Sequence, residues 1–212
     1  MELGVNWYLT ENDDKNDGKI ITYLDKNKKR DIHLCSCDED LAGILGPIAR
    51  KGKSNKTVKM IKKDKNILHN AAFYDKHIDN DVSRKDWFKE SLDKLEGCDI
   101  IFADPDNGIS EDESDKHITR AEIGQYYKRG QSVIVYYHVD RKKKGERLES
   151  FRRFQKDLPC VKAYWLRFHR GTARDYWIFA HPKHEDIIAG KIEGFKKLEW
   201  CNKKYGHFTL EA

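Results

Sequence analysis

Residues 98–108 read CDIIFADPDNG, an apolar run that ends in polar, turn-forming residues. Ile100 to Ala103 is continuously apolar, which is typical of a strand covered on both faces in a parallel sheet. Pro105 disfavours a helical conformation at Asp104, and Gly108 permits a tight reversal of the chain. The segment therefore predicts a buried central strand that opens into a short, rigid polar loop.

The sequence around this segment alternates further apolar runs with helical patterns. The runs predict strands at 31–37, 71–74, 132–138, 161–168 and 176–180. Residues with N-capping side chains mark the starts of three intervening helices, namely Asp38, Ser83 and Thr119. Thr119 and Glu122 form a capping-box pattern, and Gly130 is placed to end that helix.

Two more helices are predicted near the C-terminus, a basic one at 145–155 and another at 185–201. Strands that alternate with helices favour β-α-β crossovers. We therefore expect one α/β domain over residues 1–212, a three-layer Rossmann-like sandwich whose mostly parallel sheet ends in an antiparallel hairpin. The runs at 100–103 and 133–137 should be adjacent central strands of that sheet.

Composition excludes several classes of protein. No apolar run approaches the roughly 18 residues needed to cross a bilayer, and the N-terminus lacks the pattern of a signal peptide. The five cysteines show neither a disulfide framework nor a zinc spacing. We expect a cytoplasmic protein without a membrane partner, and the sequence predicts no oligomeric state.

Charge is distributed unevenly, although 41 basic and 36 acidic residues leave a net charge of only +5. Lys51 to Lys65 and Arg141 to Arg153 are strongly basic, whereas Ser110 to Asp115 is acidic. Basic stretches attract phosphate-bearing ligands, so a nucleotide or nucleic-acid partner is modestly favoured. A solvated lysine face explains the same pattern equally well.

The polar loop after the central strand is the main candidate site. In open α/β sheets ligands bind beyond the carboxyl ends of the strands, which is where Asp104, Asp106 and Asn107 are expected. His138 ends the next predicted strand and is a candidate acid or base. The alternatives are an ordinary turn, since Asp, Pro, Asn and Gly all favour turns, and a purely structural histidine.

The order of these parts resembles a known family. A strand that enters Asp104-Pro105, a following strand and a terminal hairpin look like the second half of Rossmann-like S-adenosylmethionine-dependent methyltransferases. The motif is similar to that of enzymes that methylate the exocyclic amine of adenine, Asp or Asn, Pro, Pro, then Tyr or Phe. Asp104 and Pro105 match its first two positions, whereas Asp106 replaces the second proline and Asn107 replaces the aromatic residue. Three aromatic residues are candidates to replace it, Tyr136, Tyr137 and Trp165.

The resemblance implies a cofactor, a substrate and roles for particular residues. Asp104 would accept a hydrogen bond from the target amine of a flipped base. S-adenosylmethionine would lie near the turn after Cys37, with Asp38 and Asp40 close to its ribose, although this turn lacks the family's glycine-rich loop. The string FADPDNGI also resembles a group of uncharacterised bacterial and phage proteins.

Two further patterns suggest phosphate chemistry. The hairpin residues Arg167, Arg170 and Arg174 are candidates for a phosphate clamp, with a solvated surface as the equal alternative. The strings His117-Ile118-Thr119 and His207-Phe208-Thr209 resemble the paired motif of two-histidine phosphoesterases. That family requires both histidines on strands, and we expect His117 to lead into a helix instead.

Three functions stay open at this point. The first is a methyltransferase-like protein acting on nucleic acid or a nucleotide. The second is a Mg²⁺-dependent phosphoesterase or nuclease in which Asp104 and Asp106 bind the metal, because Mg²⁺ prefers carboxylate oxygens. The third is a catalytically inactive module of the same fold that binds a nucleotide or a protein.

Overall fold

A computed structural model describes residues 1–10, 38–49, 58–64, 67–68, 70–78, 81–139, 144–158, 162–169, 173–198, 201 and 207–212. Its strands are β1 (Leu3–Trp7), β2 (Ala72–Tyr74), β3 (Ile100–Asp104), β4 (Gly108–Ser110), β5 (His117–Thr119), β6 (Ser132–His138), β7 (Lys162–His169), β8 (Arg174–Ala180) and β9 (His207–Leu210). Its α-helices are α1 (Glu39–Ala49), α2 (Val58–Lys63), α3 (Arg84–Lys94), α4 (Arg120–Lys128), α5 (Lys144–Asp157) and α6 (Glu185–Phe195), with a 3-10 turn at Pro182–His184. None of these described helices has both the length and the apolar character that spanning a membrane requires.

The described strands form a seven-stranded mixed sheet in the order β2-β1-β3-β6-β8-β7-β9. Strands β2, β1, β3 and β6 are parallel neighbours, and β8 pairs antiparallel with both β6 and β7. Ile100 lies opposite Ser132 and Ala103 opposite Val135. The prediction that β3 and β6 are adjacent and away from the sheet edges is therefore confirmed.

Helices cover both faces of this sheet. On one face, α3, α4 and α5 pack into a core that includes the buried side chains of Trp87, Tyr126 and Phe151. On the other face, Ile188 and Ile192 of α6 pack against the hairpin strands. Strand residues alternate between the two cores because successive side chains of a strand point to opposite faces.

The predicted helix starts are confirmed by their capping contacts. The Ser83 side chain accepts a hydrogen bond from the Asp86 backbone N–H, and Thr119 forms the full capping box with Glu122. Asp38 Oδ1 accepts from the Leu41 backbone N–H at 2.9 Å. Gly130 follows α4 with a φ of 86°, a left-handed conformation that favours glycine at the end of a helix.

Several elements differ from the sequence predictions. β1 was not predicted, and β9 extends the sheet beyond the hairpin, because the outer edge of β7 offers backbone groups that β9 pairs. α6 ends at Phe195 rather than near residue 201. His117 was expected to lead into a helix without strand structure, and the second part is wrong, since His117 lies in β5 and pairs in parallel with β4. The helix α4 does follow, with Thr119 as its cap. The strand predicted at 31–37 lies outside the described residues.

Candidate functional site at the carboxyl edge of the sheet

A row of side chains crosses one face of the sheet where β1, β3 and β6 end. Trp7 lies opposite Asp104, and Tyr136 lies opposite Tyr176. Since Ala103 is opposite Val135, Asp104 and Tyr136, each one residue further along, share a face as well. The row therefore places one carboxyl group among three aromatic residues, Trp7, Tyr136 and Tyr176.

This row lies at a topological switch point of the sheet. From β1 the chain continues to β2 on one side, and β3 then occupies the other side of β1. Ligands of open α/β sheets bind in the crevice outside such a point, because the loops there diverge. Trp7 contributes a buried indole N–H with no hydrogen-bond acceptor among the described residues. Asp104, paired with Trp7 across the switch point, is therefore in the position expected of a ligand-binding residue.

The Asp104 carboxyl is electrostatically unusual. Burial, and secondarily the negative charge of Asp106, raises its pKa to about 7. No ion pair between described residues involves Asp104, so no cation offsets the cost of burying its charge. Burial, together with the charges of Tyr136 and Asp104, raises the pKa of Tyr176 to about 12. The carboxyl is thus about half ionised at neutral pH, which suits a group that accepts and releases a proton.

The loop that follows Asp104 is rigid. Pro105 is buried, and Gly108 adopts a φ of 98°, at a point where an added Cβ would lie 2.7 Å from Cδ2 of Tyr137. The Asn107 backbone N–H donates to the Lys116 carbonyl at 2.9 Å. Asp106 is exposed, and one of its carboxylate oxygens lies 4.0 Å from Lys116 Nζ. The tight loop predicted from the sequence is present, and it directs Asp106 to solvent.

A cavity of about 490 Å³ opens beside this loop, towards α5. Its described lining residues are Asn107, Ile109, Ser110, Glu111, Asp112, His117, Tyr137, His138, Ser150, Arg153 and Phe154. Two predicted site residues, Asn107 and His138, thus share one cavity. His138 also connects to the Asp104 row, because its Nδ1 lies 3.4 Å from the Tyr136 hydroxyl.

The aromatic residue beside Asp104 is Tyr136 rather than the other two candidates. Tyr137 points to the opposite face, where its ring stacks on Trp177 with centroids 4.8 Å apart. Trp165 is fully buried in the same core. Sequence reasoning missed Trp7 and Tyr176, because their place in the row depends on which strands pair. Only the short apolar run that ends in Trp7 could have suggested a strand there.

Two of the three arginines of the predicted phosphate clamp, Arg167 and Arg174, lie among the described residues. Arg167 forms a buried bidentate ion pair with Asp175, with N···O distances of 2.6 and 2.7 Å. Arg174, next to Asp175 in the chain, points to the opposite face, near Tyr136. Arg170 lies outside the described residues. Of these two described arginines, Arg167 is therefore committed to a buried partner, and Arg174 lies near the Asp104 row.

Two of the three predicted cofactor-binding residues, Asp38 and Asp40, lie among the described residues. The Asp38 carboxylate caps α1, and both Asp38 and Asp40 are exposed. Cys37 lies outside the described residues. The neighbour of β3 on this side is β1, so the end of β1 lies beside Asp104. A cofactor role for Asp38 or Asp40 stays a prediction.

The donor set at this edge does not form a metal centre by itself. The negative charge of Asp106 contributes to the raised pKa of Asp104, so the two carboxylates influence each other electrostatically. Within the described ranges, no three His, Cys, Asp or Glu side chains are grouped to hold a metal ion. A metal at this loop would therefore need water or substrate oxygens as most of its ligands.

The function of this site is not assigned by a matching protein family or a matching curated protein. The chemistry of the site follows from its own geometry, which is an unpaired carboxyl group, an aromatic row and an adjoining polar cavity. No family model matches the chain, and no curated protein matches it either.

Proposed function

We propose that this protein is a methyltransferase-like enzyme that uses S-adenosylmethionine and acts on an exocyclic amine of a nucleotide or nucleic acid. One observation carries the proposal: the Asp104 carboxyl forms no ion pair with another described residue and lies in an aromatic row at the switch point between β1 and β3. A carboxyl oxygen accepts hydrogen bonds from an amine, and aromatic rings stack on a base. The row offers both kinds of contact on one face of the sheet.

The proposal includes a Rossmann-like form of the α/β fold. Four parallel strands carry helices on both faces, and the antiparallel β8 lies between β6 and β7. The strand that enters Asp104-Pro105 is followed by an adjacent parallel strand and then by the hairpin. This is the order of parts on which the methyltransferase resemblance rests.

Asp104 has two tasks in this proposal. Its carboxylate accepts a hydrogen bond from the target N–H and orients the nitrogen lone pair. S-adenosylmethionine, when bound, would supply the methyl group from its sulfonium and would leave as the neutral thioether S-adenosylhomocysteine. The amine then loses a proton, and a carboxyl group with a pKa of about 7 is suited to receive it near neutral pH.

The neighbouring side chains fit these ligands chemically. The buried Trp7 indole N–H needs an acceptor, and S-adenosylmethionine carries both carboxylate and ribose hydroxyl oxygens. Tyr136 stands beside Asp104 in the row, on the neighbouring strand. The family motif instead places its stacking aromatic directly after the second proline position, where this chain has Asn107. Tyr176 supports the Tyr136 ring edge to face, with centroids 5.9 Å apart.

A metal-dependent phosphoesterase is the second candidate, and one observation favours it. The charge of Asp106 contributes to the raised pKa of Asp104, and a divalent cation would relieve that repulsion. Against it, Asp106 is exposed and faces Lys116, whereas Asp104 faces aromatic rings. The aromatic surroundings favour a base over a hydrated metal.

A thermal-shift and transfer experiment separates the candidates. A ligand that binds only the folded state raises the Tm, so S-adenosylmethionine, S-adenosylhomocysteine and Mg²⁺ are compared at equal concentration. Tritiated S-adenosylmethionine then measures methyl transfer to AMP, single-stranded RNA and single-stranded DNA. We expect a Tm increase with both adenosyl ligands and transfer that Asp104→Asn abolishes.

The control is Asp115→Asn, which removes an exposed carboxylate of the acidic loop and should leave transfer unchanged. A Tm increase with Mg²⁺ alone would replace this proposal with the phosphoesterase. Binding of S-adenosylmethionine without transfer to any of the three acceptors would indicate the inactive binding module. No Tm increase with either adenosyl ligand would refute the proposal.

A further inference from the structure

The cavity between the Asp104 loop and α5 lies on the other face of the sheet from the Asp104 row. Tyr137 lines it, and Tyr137 points away from the face that Tyr136 occupies. A volume of about 490 Å³ is within the range of small-molecule sites, roughly 300–1,000 Å³. The cavity is thus large enough to hold a ligand of its own.

Its walls are rigid and partly aromatic. The Tyr137 ring is fixed by stacking on Trp177, and the Phe154 ring packs against Trp177 and Phe179. Ile109 adds an aliphatic surface. Fixed rings beside an aliphatic side chain favour a flat, ring-bearing ligand over a flexible chain.

The polar groups of the cavity are mostly uncharged. Burial lowers the pKa of His117, so its imidazole is neutral at pH 7. His117 Nδ1 lies 2.6 Å from Ser114 Oγ, which leaves Nε2 as the ring atom available for a further hydrogen bond. Asn107 and Ser150 add an amide and a hydroxyl group. Together these groups present both donors and acceptors without a net charge.

A buried ion pair fixes the His117 wall of this cavity. The Arg84 guanidinium binds Glu122 with N···O distances of 2.7 and 3.0 Å and donates to the His117 carbonyl at 2.9 Å. Tyr8 and Trp87 each lie 4.8 Å from the same guanidinium. The position of His117 is therefore determined before any ligand binds, which lowers the entropic cost of binding.

The charged residues of the described lining disfavour an anion. They are two carboxylates, Glu111 and Asp112, and one guanidinium, Arg153. Arg153 lies 3.4 Å from Glu111, and Glu111 also pairs with Arg120. Arg120 is shared with Asp157 and does not line the cavity. The two carboxylates of the described lining therefore exceed its one guanidinium by one negative charge, which disfavours a phosphate group.

We propose that this cavity binds an uncharged, ring-bearing ligand of nucleoside size, at a site separate from the Asp104 row. Asn107, His117 and Ser150 form its hydrogen bonds, and Tyr137 and Phe154 contact its ring. This site does not depend on the proposed methyl transfer. His138 lines the cavity and also contacts Tyr136, so it connects the two sites.

Calorimetric titration with adenosine, cytidine and AMP tests this site. At least one of the two nucleosides should bind, and AMP should bind about 5-fold or more weakly than adenosine because of its phosphate charge. Ser150→Phe fills the cavity and should weaken nucleoside binding at least about 10-fold. The matched control is Glu149→Phe, the neighbouring and exposed position of α5, which should change affinity less than about 2-fold.

Histidine NMR on the wild-type protein gives a second measurement that does not depend on a variant folding. The imidazole signals of His117 and His138 should shift with the bound nucleoside, and Asp104→Asn should leave these shifts unchanged. The site is refuted if neither nucleoside binds with a Kd below about 10 mM, which corresponds to a binding free energy of about −3 kcal/mol. Larger shifts of the His117 signals with AMP than with adenosine at equal concentration, or equal nucleoside affinity of Ser150→Phe and Glu149→Phe, would also overturn it.

Discussion

Two aspartates near the same edge of the sheet, Asp104 and Asp175, have opposite environments. Asp175 is completely buried and accepts two hydrogen bonds from Arg167 at 2.6 and 2.7 Å, with Arg147 Nε 4.0 Å away. Asp104 is partly buried, no ion pair between described residues includes it, and its pKa is raised to about 7. Removing one member of a buried ion pair destabilises a fold, because the other charge is left without a partner, whereas a carboxyl group outside an ion pair remains available for chemistry.

The difference arises from the face of the sheet that each residue occupies. Asp175 lies opposite Arg167 in the antiparallel hairpin, so register alone supplies its partner. Asp104 lies in parallel register with Trp7, which offers no charge. We therefore expect substitutions of Asp175 to affect stability and substitutions of Asp104 to affect function.

The largest expected effect is on stability, from Asp175→Ala. It leaves Arg167 and Arg147 buried without their carboxylate partner, so the free energy of unfolding should fall by about 3–5 kcal/mol. Urea unfolding followed by circular dichroism measures this change. A loss below about 1 kcal/mol would show that the pair is not structural and would weaken the comparison.

Asp104→Asn should produce the next largest effect, on activity. Asparagine keeps the shape of the side chain but cannot receive the amine proton, so methyl transfer should fall by about 100-fold or more. The free energy of unfolding should not fall, because the substitution removes an unpaired buried charge. A several kcal/mol loss of stability with unchanged ligand binding would identify Asp104 as structural instead.

Gly108→Ala tests the rigidity of the loop between the two candidate sites. A Cβ there would lie 2.7 Å from Tyr137 Cδ2, on a backbone whose φ of 98° disfavours any side chain. We expect a destabilisation of about 2–3 kcal/mol from strain and overpacking. Gly124→Ala is the matched control, because its Cβ would meet no atom within 4 Å and should cost nothing in the helix.

Asp104 also makes the stability of the protein depend on pH. Its pKa in the folded protein, about 7, lies above the value of about 4 in the unfolded chain, so the folded state binds the extra proton between these values. The free energy of unfolding should therefore fall as pH rises from 4 to 7, by about 3 kcal/mol relative to Asp104→Asn. If the free energies of unfolding of the wild-type protein and of Asp104→Asn changed equally with pH, this prediction would be wrong.

The sequence was informative where local patterns determine structure. The apolar run before Asp104 predicted a central strand, and the caps at Ser83 and Thr119 predicted helix starts, because these contacts lie within a few residues. β1 was missed, since Leu3–Trp7 contains Gly4 and Asn6, two residues that strands disfavour. Gly4 is required there, because a Cβ would lie 2.8 Å from Ile101 Cδ1.

The site was predictable only in part for the same reason. Asp104 and its loop follow directly from a local motif. Its aromatic neighbours Trp7 and Tyr176 lie far away in sequence, and strand register alone brings them together. The cavity likewise depends on the pairing of β4 with β5. The sequence predicted that His117 would lead into a helix and did not predict this pairing.

The pKa of the Asp104 carboxyl tests the central claim most directly. Carbon-13 NMR of labelled aspartate side chains, compared between wild-type protein and Asp104→Asn, assigns the Asp104 signal and follows it from pH 3 to 9. An unpaired carboxyl group poised for proton transfer should titrate with a midpoint of about 7. A midpoint at or below the ordinary aspartate value of about 4 would show that a partner or solvent stabilises its charge, and would contradict the account.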